Sequence, residues 1–200
     1  MSDLARFWPE WLPVALRERL ESAYRDSGRS YHDLLHLFEV LENVDSLLAP
    51  DDPAREAVLL AAWFHDAVYD GRADDEERSA QLAEAALAES PDLAREVARL
   101  VRLTQTHRPS DDDPAGQVLC DADLGVLAAA ASRYASYTAG VRAEYAHVSE
   151  RDFALTRAGV LRDLLGKPTL FHTAAARERW ETDARANVTR EIEQLEQRTA

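Results

Sequence analysis

Five polar residues sit in otherwise apolar, helix-patterned stretches of this 200-residue chain: His32 and His36, the dipeptide His65-Asp66, and Asp123 within Cys120-Asp121-Ala122-Asp123-Leu124. Imidazoles and carboxylates that converge from separate helices form the donor set of a divalent metal site. Residues four apart on a helix share a face, so His32 and His36 can present two imidazoles to one point. His65-Asp66 closes the apolar run Val58 to Phe64. An isolated ionised carboxylate in such a place is costly and needs a positive partner. Taken alone, the dipeptide also reads as a histidine at a helix C-terminus beside an arginine-paired aspartate. The histidine pair shifts that balance toward a metal. Asp121 and Asp123 lie about 200° apart on an ideal helix, so they do not face one ion equally. Asp123, followed by Leu124, Val126 and Leu127, is expected to point inward, and Asp121 to cap the helix or to orient a histidine from behind.

The elements that must position these groups read as helices throughout, because apolar residues recur at helical spacing between stretches of cap and turn residues. A first helix follows Pro13 and stops at Gly28, and Ser30 can cap a second, carrying His32, Leu35, His36, Val40, Val44 and Leu47. A third starts at Asp52-Pro53 and becomes apolar almost all round, which marks a central buried helix. Asp74-Asp75-Glu76-Glu77 opens a fourth, and Ser90-Pro91 opens a fifth that runs toward His107. Arg108 to Gly116 reads as loop and leads to a helix over Asp121 to Leu127. Ser149-x-x-Asp152 caps a further helix, Gly166-Lys167-Pro168 breaks it, and a last helix runs from about Ala174 to about Leu195. The expected fold class is all-α, one domain over 1–200 with a core about 28–130 and a helical extension about 131–200.

Composition narrows the function classes. The formal charge of -14 opposes binding to long nucleic acid, where basic residues must replace counterions. The longest apolar run is far short of the roughly 20 residues that span a bilayer. Cys120 is the single cysteine and the N-terminal stretch does not read as a signal peptide, which together predict a cytoplasmic protein. Lys167 is the only lysine, so nearly all positive charge is arginine, the side chain suited to bidentate contact with a small phosphate. The helical surface leaves room for a homodimer, although no sustained heptad pattern specifies one.

The order of these motifs resembles the HD-domain metal-dependent phosphohydrolases, whose pattern is a histidine, a later His-Asp pair and a distant aspartate on helices. It is similar above all to a small bacterial subgroup, through Arg29-Ser30-Tyr31-His32-x-x-x-His36, Ala62-Trp63-Phe64-His65-Asp66-x-Val68-Tyr69, Asp121-Ala122-Asp123-Leu124 and Val141-Arg142-x-Glu144-Tyr145. The resemblance implies a helical bundle that holds one divalent ion (Mn, Fe, Co, Ni, Zn or Mg) between two histidines and two aspartates. Those ligands would be His32 or His36, His65, Asp66 and Asp123. Tyr31-His32 fits the family's local context and favours His32. The implied activity is hydrolysis of a phosphate ester or anhydride of a nucleotide or other small phosphorylated compound, with Asp66 at its centre. The family often places a glutamate shortly after His-Asp; here Val68-Tyr69-Asp70 stands instead, leaving Asp70 or Glu76 for proton handling. That departure also leaves open a second ion recruited by Glu76 or His107, and a catalytically degenerate module that binds a nucleotide or protein partner without turnover.

Arg29, Tyr31, His107 and Arg142 are the candidates for substrate contact. Three of them have a plainer reading: Tyr31 as a packing residue, His107 as a helix C-cap, and Arg142 as half of a solvated Arg-Glu pair with Glu144. The four tryptophans, Phe153 and Phe171 read as core rather than as a base-stacking platform.

Overall fold

The computed structural model describes residues 4–199. The described residues contain helices and no strand. They form a short 3₁₀ helix at Leu4–Phe7, then α1 Val14–Tyr24, α2 Leu34–Leu47, α3 Arg55–Phe64, α4 Asp75–Ala86, α5 Pro91–Leu103 and α6 Pro114–Asp123. A second 3₁₀ helix, Leu124–Ala128, precedes α7 Ala131–Glu144, α8 Glu150–Leu165 and α9 Ala174–Gln197. No described helix is long and apolar enough to cross a membrane.

The chain clusters into two compact units, one ending at Asp123 and the other beginning at Leu124. In the first unit α3 is the central element. Val58, Leu60, Ala61, Ala62, Trp63 and Phe64 are fully buried, as expected of a helix apolar on every side. Trp63 packs edge-on against Trp8, with ring centroids 5.1 Å apart, and donates its indole N–H to the carbonyl of Phe7. α2, α5 and α6 pack around α3. In the second unit, α9 packs on α8 and on the 3₁₀ helix Leu124–Ala128. Asn187 of α9 donates to the carbonyls of Leu127 and Ala129 at 2.9 Å each.

Two helix starts differ from expectation by three residues or more. α2 begins at Leu34 because Asp33 is its cap: the carboxylate accepts from the amides of Leu35 and His36, and Ser30 stands outside the helix. His32 therefore precedes α2, and the two histidines do not share one helical face. α6 begins at Pro114, inside the stretch read as loop. Asp113 accepts from the amide of Gly116 at 3.0 Å, and Pro114 takes the first helical position, which needs no N–H. A Cβ on Gly116 would lie 2.2 Å from Asp113 Oδ2 and 2.5 Å from Leu103 Cδ2, so a larger residue there would force those two side chains to shift.

Asp113 also forms a bidentate pair with Arg99, at 2.6 and 3.0 Å. Burial works to raise its pKa, but the bonds from Arg99 and from Gly116 N–H overcome this and hold the carboxyl below its ordinary value. A depressed carboxyl stabilises the fold above its unfolded pKa, near 3.8, and loses that contribution as pH falls through the lower folded value. We predict that Asp113→Ala lowers unfolding free energy by about 1 kcal/mol at pH 7. The deficit should shrink toward zero below the folded pKa, as read from urea denaturation of both proteins across acidic pH.

Candidate metal centre

Three helix ends deliver the side chains. His36 stands in the first turn of α2, its amide held by the Asp33 cap at 3.2 Å. His65 is the C-cap of α3, and its Nδ1 faces the carbonyl of Ala62 at 2.8 Å. A carbonyl only accepts, so Nδ1 carries a proton and Nε2 faces the cluster, where the neutral ring would offer a lone pair to a cation. Asp66 follows directly. Asp123 is the last residue of α6, and Asn43 of α2 donates to the neighbouring Ala122 carbonyl at 2.9 Å, tying α6 to α2.

The polar atoms of these four residues converge. His36 Nε2 lies 3.1 Å from His65 Nε2 and 3.3 Å from both Asp66 Oδ2 and Asp123 Oδ1. His65 Nε2 lies 3.1 Å from Asp66 Oδ2 and 3.7 Å from Asp123 Oδ1. The ligand atoms of His36, His65 and Asp66 all fall within 4.8 Å of one another. Both imidazoles are almost wholly buried, and the two carboxylates are about 15 % exposed.

Electrostatics show what the cluster demands. Burial works to lower the His36 pKa, but the hydrogen bonds and charges of Asp123 and Asp66 override it and raise the group to about 10. His65 is raised as well, burial opposing and Asp66 dominating. Burial works to raise Asp66 and Asp123, yet the surrounding histidines hold both carboxyls well below the usual range. Two buried carboxylates thus need positive charge between them. Two imidazole nitrogens and an Asp66 carboxylate oxygen clustered together, with Asp123 Oδ1 near both imidazoles, suit a divalent cation, which can take the place of the protons. The buried His/His/Asp cluster can coordinate a metal ion.

The segments around the cluster are braced by residues whose roles have no local signature. Arg29 donates to the carbonyls of His32, Asp66 and Ala67 at 3.2, 2.6 and 3.2 Å, stapling the approach to α2 onto the exit from α3. The hydroxyl of buried Tyr24 donates to Trp63 O and accepts from the Asp66 amide, both at 3.3 Å. Asp75 accepts from the amides of Asp70 and Arg72 at 2.8 and 2.9 Å, folding the loop after His-Asp, and Ser79 Oγ bonds Val68 N at 3.0 Å. Tyr24 sits on the apolar stripe of Leu16 and Leu20, and Asp75 in an acidic helix start; neither pattern discloses its bond.

The remaining candidates fall in distinct places. His32 stacks on Tyr69, centroids 4.1 Å apart, and is among the groups whose charge lowers the Asp66 pKa. Tyr31 is buried between the His32 and His36 rings, 4.7 Å from each. His107 Nε2 lies 2.8 Å from Asp123 Oδ2. Glu76 is half-buried and its pKa is raised, first by burial and then by the charges of Asp66 and Asp75, with His107 opposing. Asp70 is exposed and paired with Arg78 at 2.6 Å. Asp121 is fully buried inside α6, which rules out the helix-cap role at its start. Arg142 belongs to the second unit, where it donates to the carbonyls of Tyr145 and Val148 and lies over the Phe153 ring.

No family model, curated protein or solved structure matches this chain. The functional reading therefore rests on the all-helical frame and on the buried cluster of His36, His65 and Asp66 with Asp123 at its edge.

Proposed function

We propose that the protein is a metal-dependent phosphohydrolase of the HD-domain kind, acting on a phosphate ester or anhydride of a nucleotide or similar small phosphorylated compound. The observation that carries this reading is the buried cluster of His36, His65 and Asp66, with Asp123 Oδ1 lying 3.3 and 3.7 Å from its two imidazoles. His36, His65, Asp66 and Asp123 would hold the ion, with His36 rather than His32 in the family's first histidine role. A divalent cation held there supplies a Lewis acid that polarises a phosphoryl oxygen and makes water acidic enough to serve as nucleophile near neutral pH.

The chain's own groups do the rest. His65 keeps its Nδ1 proton on Ala62 O, which leaves Nε2 free to donate its lone pair. Arg29 is spent on three backbone carbonyls, so it shapes the site rather than clamping phosphate. Glu76 is the proton carrier: burial and neighbouring carboxylates raise its pKa, so it holds a proton nearer to neutral pH than an exposed glutamate does. Asp70 is committed to Arg78 and held low. We predict that Glu76→Gln lowers kcat about 10²- to 10⁴-fold with metal content intact. Asp70→Asn should change it little, as measured by steady-state kinetics beside elemental analysis.

The test of the reading is metal analysis of protein purified without a chelator or histidine tag, followed by a phosphoester panel on the loaded protein. Stoichiometric metal with hydrolysis supports it. Metal with ligand-induced thermal stabilisation and no turnover would replace it with a binding module, the reading that the altered Val68-Tyr69-Asp70 segment favours.

A further inference from the structure

We propose that His107 is a positioning residue for Asp123, turning that carboxylate so that one oxygen faces the His36 and His65 nitrogens while the other is held by the His107 ring. The inference rests on the metal reading above. His107 Nε2 lies 2.8 Å from Asp123 Oδ2, whereas the opposite oxygen, Oδ1, is the one near His36 Nε2 at 3.3 Å and His65 Nε2 at 3.7 Å. A ring N–H that donates to a carboxylate fixes its rotation and leaves its second oxygen aimed elsewhere.

The backbone supplies an independent argument. His107 has φ 49, the only non-glycine residue with positive φ among the described residues. Its amide bonds Leu103 O at 3.0 Å and closes the turn that ends α5. A turn whose only task was to end α5 would be better served by glycine, which adopts this conformation without steric cost. Here a strained histidine stands instead, and its ring contacts the cluster; strain retained at such a place accompanies function.

The experiment measures Zn²⁺ and Mn²⁺ affinity and stoichiometry by chelator competition for wild type, His107→Ala, His107→Gly and His107→Gln, with thermal melts of the metal-free proteins. Glycine relieves the backbone and removes the ring, and glutamine keeps an amide N–H near the Nε2 position. The expected result is one ion per chain in all four, bound about 10- to 100-fold more weakly by the alanine and glycine variants and within about threefold of wild type by the glutamine variant. Metal-free His107→Gly should melt no lower than His107→Ala. Wild-type affinity in His107→Gly would overturn the proposal in favour of a turn residue. Two ions falling to one in all three variants would overturn it in favour of direct ligation of a second ion. Wild-type protein that takes up no metal would overturn the metal reading itself and this inference with it, whereas the other two failures leave that reading standing.

Discussion

Asp66→Ala is expected to empty the metal centre and to cut kcat/KM by roughly 10⁴-fold or more, because the groups of a catalytic centre act as a unit and the loss of one disables the rest. The Asp66 carboxylate faces both imidazoles, at 3.3 Å from His36 and 3.1 Å from His65, so its removal takes away the donor shared between them. It also takes half of the buried negative charge that makes a cation favourable there. Asp123→Ala should cause a comparable loss, since its Oδ1 completes the same set. The thermal signature separates this from general damage. Wild type loaded at 1,000 times its Kd gains about 4 kcal/mol over its chelated form, and Asp66→Ala gains nothing. Melts with and without chelator, run beside elemental analysis, check the prediction; a chelator-sensitive Asp66→Ala protein would show that the ion binds elsewhere.

The parts of this arrangement that were legible in the sequence are those with a local cause. α3 could be read from Val58 to Phe64 because a helix buried on every side needs apolar residues on every side, and His65-Asp66 at its end stood out by contrast. The start of α2 was harder. Ser30 and Asp33 are both good caps, and only the structure shows Asp33 taking the amides of Leu35 and His36. That shift of three residues removes His32 from the helix and leaves His36 as the α2 histidine in the cluster. The helix expected over Asp121 to Leu127 instead closes at Asp123 and continues as a 3₁₀ helix, so the unit boundary fell inside the stretch read as one helix. Bonds such as Tyr24 to Asp66, Arg29 to Ala67 and His107 to Asp123 join residues 16 to 42 positions apart, and no pattern of nearby residues announces them.

Arg157→Met is expected to destabilise the protein by about 3–5 kcal/mol, the usual cost of removing one member of a buried ion pair. Arg157 donates to Glu191 Oε1 at 2.9 Å and also bonds the Tyr137 hydroxyl, and Tyr134 donates to Glu191 Oε2 at 2.5 Å. Side-chain exposure is 15 % for Arg157 and 8 % for Glu191, so water cannot replace a lost partner well. Burial and the charge of Glu191 push the Tyr134 phenol above its ordinary range, which keeps it a donor; one neutral donor does not compensate a buried carboxylate. Burial opposes the charge on Arg157, but Tyr137 and Glu191 hold it firmly protonated. The geometry therefore predicts asymmetry between breaking the pair and replacing it. Arg157→Met leaves the buried Glu191 carboxyl without its arginine partner, whereas Arg157→Met with Glu191→Leu removes both members and should recover most of the loss, because desolvation of the pair offsets much of its attraction. A double-mutant cycle by urea denaturation measures this as a coupling of at least about 2 kcal/mol. Additive single effects below about 1 kcal/mol would instead mean that solvent reaches Glu191 and screens the pair as it does at a surface.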